Sequence, residues 1–479
     1  MFGSIGETRP GASVASRRTF LRQAGGGFGA IAAAWLLERE PARAGAPVDP
    51  LAPRPPHFPA KATRVIYLFM HGGPSHLETF DPKPELQRLA GRPLPESFGR
   101  VATRRQVAAN PLLATRRTFR ACGRSGLPIS DFLPHLAECA DELAVIRSCR
   151  ADSVNHPQAV YQMNTGSVLM GKPSLGSWVG YGLGTVNQDL PAFVVLPDPA
   201  GGIKGGPPAY GAGFLPASRQ GTVMRSGSRP ILDLAPPEGM SDTAQRRTLD
   251  LIGKLNARHL AERNDDTELA ARIQAYELAY RMQSAAPDAV DVSRESEETK
   301  ALYGLDRADT AEFGTRCLLA RRLVERGVRF VQLYSGDVNG WDAHDDVEAN
   351  HARMCAKTDK PIAGLLRDLR RRGLLEETLV IWGGEFGRMP MSESGRGRDH
   401  NPHGFTVWMA GAGIKGGTTH GATDAVGLRA EVDPVHVHDL HATILHLLGL
   451  DHTRLTFPHN GREERLTDTS GTVVRSILA

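Results

Sequence analysis

Six strand-length apolar runs constrain this chain most: Arg64–Met70, Leu143–Ser148, Ala192–Leu196, Val328–Tyr334, Thr378–Trp382 and Phe405–Met409. A strand with one wet face alternates apolar and polar residues. A near-continuous apolar run instead belongs to a strand buried on both faces, which in practice means a sheet sandwiched between helices. Helical periodicity falls between several of the runs, at Ile129–Glu142, Ala311–Arg326, His351–Arg372 and Leu440–Leu448. Strands alternating with helices predict an α/β fold with a doubly wound, mostly parallel sheet flanked by helices. At 41% hydrophobic and 23% charged the chain has enough apolar content for that core, and its 52 glycines and 33 prolines suit many loops on a regular frame.

The first 44 residues read as a twin-arginine signal peptide. Ser16-Arg17-Arg18-Thr19-Phe20-Leu21-Arg22 precedes a short, weakly apolar stretch from Ala24 to Leu37, and Ala42-Arg43-Ala44 supplies a small-x-small cleavage site. That stretch is too short for a stable bilayer anchor. The expectation is export in the folded state by the twin-arginine machinery to a periplasmic or extracellular location, with no transmembrane anchor in the mature form. The signal carries three of the four net positive charges, so the remainder of the chain has no basic field for nucleic acid. Residues 45–63, rich in proline and alanine, read as a linker, and 64–479 as one domain. An insertion at about 199–300 interrupts it: Pro199 to Pro237 is loop-like, and Ser241 to Ala285 is helical, forming either a cap over the sheet or packing at its edge. Five cysteines, odd in number and without a Cys-x-x-Cys pair, indicate neither a zinc ribbon nor a disulfide framework; one Cys139–Cys149 bridge stays open.

Polar clusters follow the apolar runs. After Met70 comes His71-Gly72-Gly73-Pro74-Ser75-His76. After Tyr334, a few residues on, comes Trp341-Asp342-Ala343-His344. After Trp382 come Glu385 and Arg388, and before Phe405 come Arg398 and His400. In open α/β sheets, ligands sit outside the carboxyl ends of strands, so sequence-distant Asp, Glu and His can converge there. Carboxylate plus imidazole is a metal-ligand set. Taken singly, Asp342-x-His344 fits a turn with a capping aspartate as well as a ligand pair. Glu385, between glycines beside an apolar strand, needs a partner or a metal. His436, His438, His441, His446 and His452 read as core or surface histidines.

The motifs His71-Gly-Gly-Pro-Ser-His76, Met163-Asn-Thr-Gly166, Gly383-Gly-Glu-Phe-Gly-Arg388, Gly397-Arg-Asp-His-Asn-Pro402 and His438-Asp-Leu-His-Ala-Thr-Ile-Leu445 give the chain a resemblance. It resembles, over nearly its whole length, the exported family catalogued as domain of unknown function 1501. That family looks like a divergent branch of the alkaline phosphatase and sulfatase superfamily. The resemblance implies that fold and a divalent metal site (zinc, calcium or magnesium). Carried over, Asp342, His344, Glu385, His400 and His71 are the metal ligands. Glu385 stands where superfamily members carry aspartate, Phe386 where many phosphatases carry a histidine, and His71 where the first strand delivers an aspartate.

The superfamily nucleophile is not matched. The sulfatase spacing counted back from Thr165 lands on His156, in Asn155-His156-Pro157, and no cysteine stands in a Cys-x-Pro-x-Arg context. Ser153 lies in Asp152-Ser153-Val154, three residues early. Three assignments stay open: Ser153 or His156 attacks or positions water, His156 is a metal ligand or a general acid, or Asn155 and His156 merely cap a helix and hydrogen-bond across the crevice. Arg388 and Arg398 would offer guanidinium forks to an anion. The implied activity is metal-assisted hydrolysis of a sulfate or phosphate ester, with an anionic substrate such as an envelope polysaccharide or a small molecule. The rival is a catalytically degenerate relative that binds an envelope ligand or protein.

Overall fold

The computed structural model describes residues 52–225, 230–231, 234, 239–262, 267–336 and 339–479. The twin-arginine segment and the start of the expected linker lie outside the described residues. Residues 52–63 form no helix or strand; they are laced to the domain through Arg54 N–H to the Leu183 carbonyl, Lys61 N–H to Leu447 and Thr63 N–H to Glu377.

All six apolar runs are strands of one sheet. The strands are β1 (Arg64–Met70), β2 (Leu143–Arg150), β3 (Phe193–Leu196), β4 (Thr222–Val223), β5 (Phe330–Ser335), β6 (Thr378–Gly383), β7 (Phe405–Ala410), β8 (Thr418–His420) and β9 (Val435–His436). Their order is β8-β2-β7-β6-β1-β5-β3-β4, with β9 also on β2. Every pairing is parallel except those of β7, which runs antiparallel to both β2 and β6. The mostly parallel sheet is therefore as expected.

Side-chain parity explains the continuous apolar runs. On β1, Ile66, Leu68 and Met70 face one core, and Val65, Tyr67 and Phe69 face the other. The first core is covered by α5 (Ala311–Glu325) and α6 (Val347–Arg371) through residues such as Leu318, Leu323, Leu365 and Leu369. The second is covered by α1 (His156–Thr165), α2 (Leu175–Leu183) and α7 (Val437–Leu447), through Met163, Trp178 and Ile444. Each buried Leu, Ile or Phe adds about 1.5–3 kcal/mol, which makes this double burial the main source of stability. All five cysteines are buried thiols. No described helix is long and apolar enough to cross a membrane.

One local expectation is corrected. Ile129–Glu142 is not one helix: Leu127–Ser130 is a strand paired with Phe119–Cys122, and a 3-10 segment covers Leu136–Glu142. Pro134 cannot donate the helical bond, and Asp359 instead accepts the N–H groups of His135 and Leu136, each at 2.8 Å. The stretch between β6 and β7 is a β-hairpin, Gly387–Glu393 against Gly397–Asn401, seated by Met389 and Met391 on a third small core. Within the insertion, Thr222–Val223 forms the edge strand β4, and the second long helix, Thr267–Val290, buries Met282, Ala286 and Ala289 beside α5.

Two buried histidines make the fold acid-sensitive. Burial pulls His441 down to about 3 and His351 down to about 4. Both folded values lie below that of a free imidazole, near 6.5, so the unfolded chain binds more protons in between. Their stabilisation is complete above that value and is lost as pH falls toward the folded values, at about 1.4 kcal/mol per group per pH unit. In thermal melts between about pH 7.5 and about 4.5, His441→Gln should remove roughly one proton's share of the slope; an unchanged slope would refute the assignment.

Candidate metal centre

Every strand that reaches the site does so at one edge of the sheet. β1 ends at Met70 and delivers His71; β2 leads into the turn before His156; β5 leads into the loop carrying Asp342 and His344; β6 leads to Glu385. β7 runs the other way, so the hairpin before it brings His400 to the same edge, opposite Arg388. Gly72 is what permits the close approach: its φ is +109°, and a Cβ there would lie 2.6 Å from the amide nitrogens of Trp341 and Asp342. Trp341 N–H donates to the His71 carbonyl at 2.9 Å, tying that loop to the end of β1.

Three imidazoles converge on Asp342. His344 Nε2 lies 2.9 Å and His400 Nε2 3.1 Å from Asp342 Oδ1, and His156 Nε2 lies 3.0 Å from Oδ2. The two ring nitrogens of His344 and His400 are 2.9 Å apart. The opposite edge of each ring is anchored. His156 Nδ1 lies 2.6 Å from Glu385 Oε1, His344 Nδ1 2.6 Å from Glu393 Oε2, and His400 Nδ1 2.7 Å from the Val154 carbonyl. A carbonyl or carboxylate oxygen can only accept, so each Nδ1 carries the proton. Burial lowers His156, but Asp342 and Glu385 outweigh it and raise its value above the ordinary one; with a cation in place, each ring held this way would turn an Nε2 lone pair inward, the arrangement found behind metal-ligating histidines.

Electrostatics fit a cation at that point. Burial disfavours the ionised form of Asp342, but the three histidines and Arg388 outweigh it and hold its carboxyl far below the usual range. Glu385 is likewise lowered, because His156 and His71 overcome its complete burial. Burial, with Arg388 and His156 nearby, brings His400 down to about 4, so at neutral pH its ring is uncharged. An uncharged ring facing a carboxylate oxygen lone pair to lone pair is stable only with a positive charge between them. His156 Nε2 is buried and, despite its 3.0 Å approach to Asp342, has no hydrogen-bond geometry. The ligand atoms of His156, Asp342, His344 and His400 all lie within 4.8 Å of one another. These four residues fit a divalent cation.

The expected ligand set is thus partly redrawn. Asp342, His344 and His400 come together. Glu385 does not face the shared point but stands behind His156, where both its oxygens also accept the Gly72 N–H, at 2.9 and 3.2 Å. His71, its ring 6.1 Å from that of His156, accepts the Lys204 N–H at 3.0 Å. His156, for which nucleophile, ligand, general acid and cap were all open, places its Nε2 among the four candidate ligand atoms. Ser153 is spent on the turn before α1: its hydroxyl donates to Gln158 at 2.9 Å and accepts the Asn155 N–H at 3.1 Å. Phe386 stacks on His400 with ring centroids 4.5 Å apart and so forms a wall of the site.

Neither arginine offers a fork to an anion. Arg388 is fully buried and donates to the carbonyls of Gly73 (2.9 Å), Arg398 (3.1 Å), Trp341 (3.3 Å) and Gly72, and to Asp342 Oδ1 at 2.8 Å. Arg398 is fully buried too, paired with Glu78 at 2.7 Å and bonded to the Leu113 carbonyl at 2.9 Å. Other cations take the expected place. A cleft of about 550 Å³ opens over the centre, and Arg104, Arg105 and Lys204 line it together with the four converging residues. Lys204 Nζ lies 2.8 Å from Asp342 Oδ2, and Arg105 Nη1 3.3 Å from Glu393. Lys204, Glu393 and Arg105 were missed by sequence reasoning. Only Lys204 carried a signal, sitting between glycine pairs in Gly201-Gly202-Ile203-Lys204-Gly205-Gly206.

Comparison with solved structures gives loose likenesses. The lipoteichoic acid synthase LtaP from Listeria monocytogenes is 10% identical, with 87% of this chain and 79% of that chain covered and a TM-score of 0.36. The PsFucS1 sulfatase from Pseudoalteromonas sp. is 14% identical over 87% and 72%, at 0.38. The phosphonate monoester hydrolase SpPMH from Silicibacter pomeroyi is 15% identical over 72% and 71%, at 0.32. Scores this low transfer neither residues nor chemistry. No curated protein matches the chain. The family model described as a protein of unknown function, DUF1501, matches residues 62–478, and the chain belongs to that family.

Proposed function

We propose that this protein is a metal-dependent hydrolase of phosphate or sulfate esters, exported by the twin-arginine route. One observation carries the reading: three imidazoles, each anchored through Nδ1, turn Nε2 toward a single ionised aspartate. Three nitrogens and one carboxylate suit zinc or a similar transition ion better than calcium or magnesium, which prefer all-oxygen sets. A divalent cation held there would supply Lewis acidity toward an ester oxygen. Glu385, Glu393 and the Val154 carbonyl keep the imidazoles oriented, and Phe386 keeps water off one side. Arg104 and Arg105 give the anionic end of a substrate its counter-charges. No serine, threonine or cysteine lies among the described residues lining the cleft. Water is therefore the attacking group, and formylglycine chemistry is out of reach.

That missing hydroxyl or thiol is also what favours the second reading, a ligand-binding module without catalysis. Elemental analysis of the purified protein and assays on aryl phosphate, phosphodiester and sulfate esters separate the two. The hydrolase is expected to hold a single equivalent of a transition ion and to lose turnover on chelation. Metal uptake without turnover of any ester class would leave the binding module. No uptake by either native or zinc-soaked protein would sink the metal-dependent hydrolase.

A further inference from the structure

Lys204 reaches the metal centre from the start of the insertion, in the loop that follows β3. Its own N–H is latched to His71 Nε2 at 3.0 Å, and the neighbouring Gly205 carbonyl accepts the Tyr161 hydroxyl at 2.7 Å. The latches aim Nζ at Asp342 Oδ2, 2.8 Å away. That is the oxygen His156 Nε2 faces; Oδ1 is shared by His344, His400 and Arg388. An ammonium on Oδ2 and a divalent cation between His156 and Asp342 draw on the same oxygen and repel one another.

We infer that Lys204 competes with the divalent cation for Asp342 and passes to the anionic group of the substrate once the cation is in place. The inference rests on the metal-centre reading above. Two facts single out Lys204 as the charge that moves. Arg388 is fully buried and locked onto backbone carbonyls, whereas the Lys204 side chain is 23% exposed on a flexible stem. Lys204 also lines the cleft that Arg104 and Arg105 share, so an ammonium leaving Asp342 has an anion site within reach. Lys204 is a positioning residue whose charge trades one partner for another.

The test is calorimetric titration of the full chain, first with zinc chloride and then, on zinc-loaded protein, with inorganic phosphate. Lys204→Met is expected to bind zinc about tenfold more tightly and phosphate about tenfold more weakly than wild type. Lys204→Arg, which keeps the charge, is expected to stay near wild type in both. The opposite signs of the two changes are what a merely structural role would not produce. Lys204→Gln repeats the neutral case should methionine perturb folding. Equal zinc affinity in wild type and the neutral variants, or unchanged phosphate affinity, overturns the inference and leaves the metal centre standing. Failure of the wild type to take up zinc sinks the metal reading itself.

Discussion

Asp342→Asn is expected to lower cation affinity by more than about a hundredfold and to abolish ester hydrolysis, because loss of a ligand exceeds the roughly 10–100-fold cost of losing an outer-shell partner. Asp342 is the one group that His156, His344, His400, Lys204 and Arg388 all approach within about 3 Å. Its charge is held by those neighbours against its own burial. Asparagine keeps the shape, removes the charge and replaces one ligand oxygen with an N–H₂ that cannot bind a cation. It also strips buried Arg388 of its counter-ion, so a fall in melting temperature should accompany the loss of metal. His344→Gln separates the two effects. It removes a ligand nitrogen and leaves the Arg388 pair intact, so it should lose metal with a smaller change in melting temperature. Metal content after dialysis, read beside thermal melts, decides the matter. Wild-type metal retention by Asp342→Asn would mean that these four residues are not the site.

The sheet was legible because its strands are buried on both faces, which selects mostly apolar residues there; Ile66 and Tyr67 point to different cores, yet both read as apolar. Legibility stopped where a residue's role depends on what lies opposite it. Glu385 looked like a ligand because a buried carboxylate needs a partner, and it has one, but the partner is His156, 229 residues away in the chain. His156 stood out by motif spacing, but its role stayed open among nucleophile, ligand, general acid and cap, since nothing local shows that Nδ1 is anchored and Nε2 turned inward. The stretch after β6 carries no strand-length apolar run. Its hairpin is held by Met389 and Met391 packing on Leu77, Leu86 and Leu112, contacts no local pattern announces. Lys204 and Glu393 act on the site only because an insertion loop and that hairpin fold back onto it.

Arg388 shows most sharply how burial reverses a sequence expectation, and its replacement is the second large effect. A guanidinium in Gly383-Gly-Glu-Phe-Gly-Arg388 near a metal site reads as an anion fork, and such a residue would sit in the cleft. Here it lies beneath the centre, tying the His71 loop to the Asp342 loop and to the hairpin through the carbonyls of Gly72, Gly73, Trp341 and Arg398. Arg388→Met would leave those carbonyls and Asp342 buried without their donor, and breaking a buried pair of this kind costs about 3–5 kcal/mol. In a chain of this size that corresponds to a melting temperature lower by roughly 3–6 °C. Arg388→Lys should rescue little, because a single ammonium cannot reach carbonyls spread over three loops. A substrate fork would behave the other way round, with stability kept and affinity for the anionic substrate lost. If Arg388→Met melts with the wild type and only its KM rises, the guanidinium reaches the cleft, and the three loops must be held together by something other than this strut.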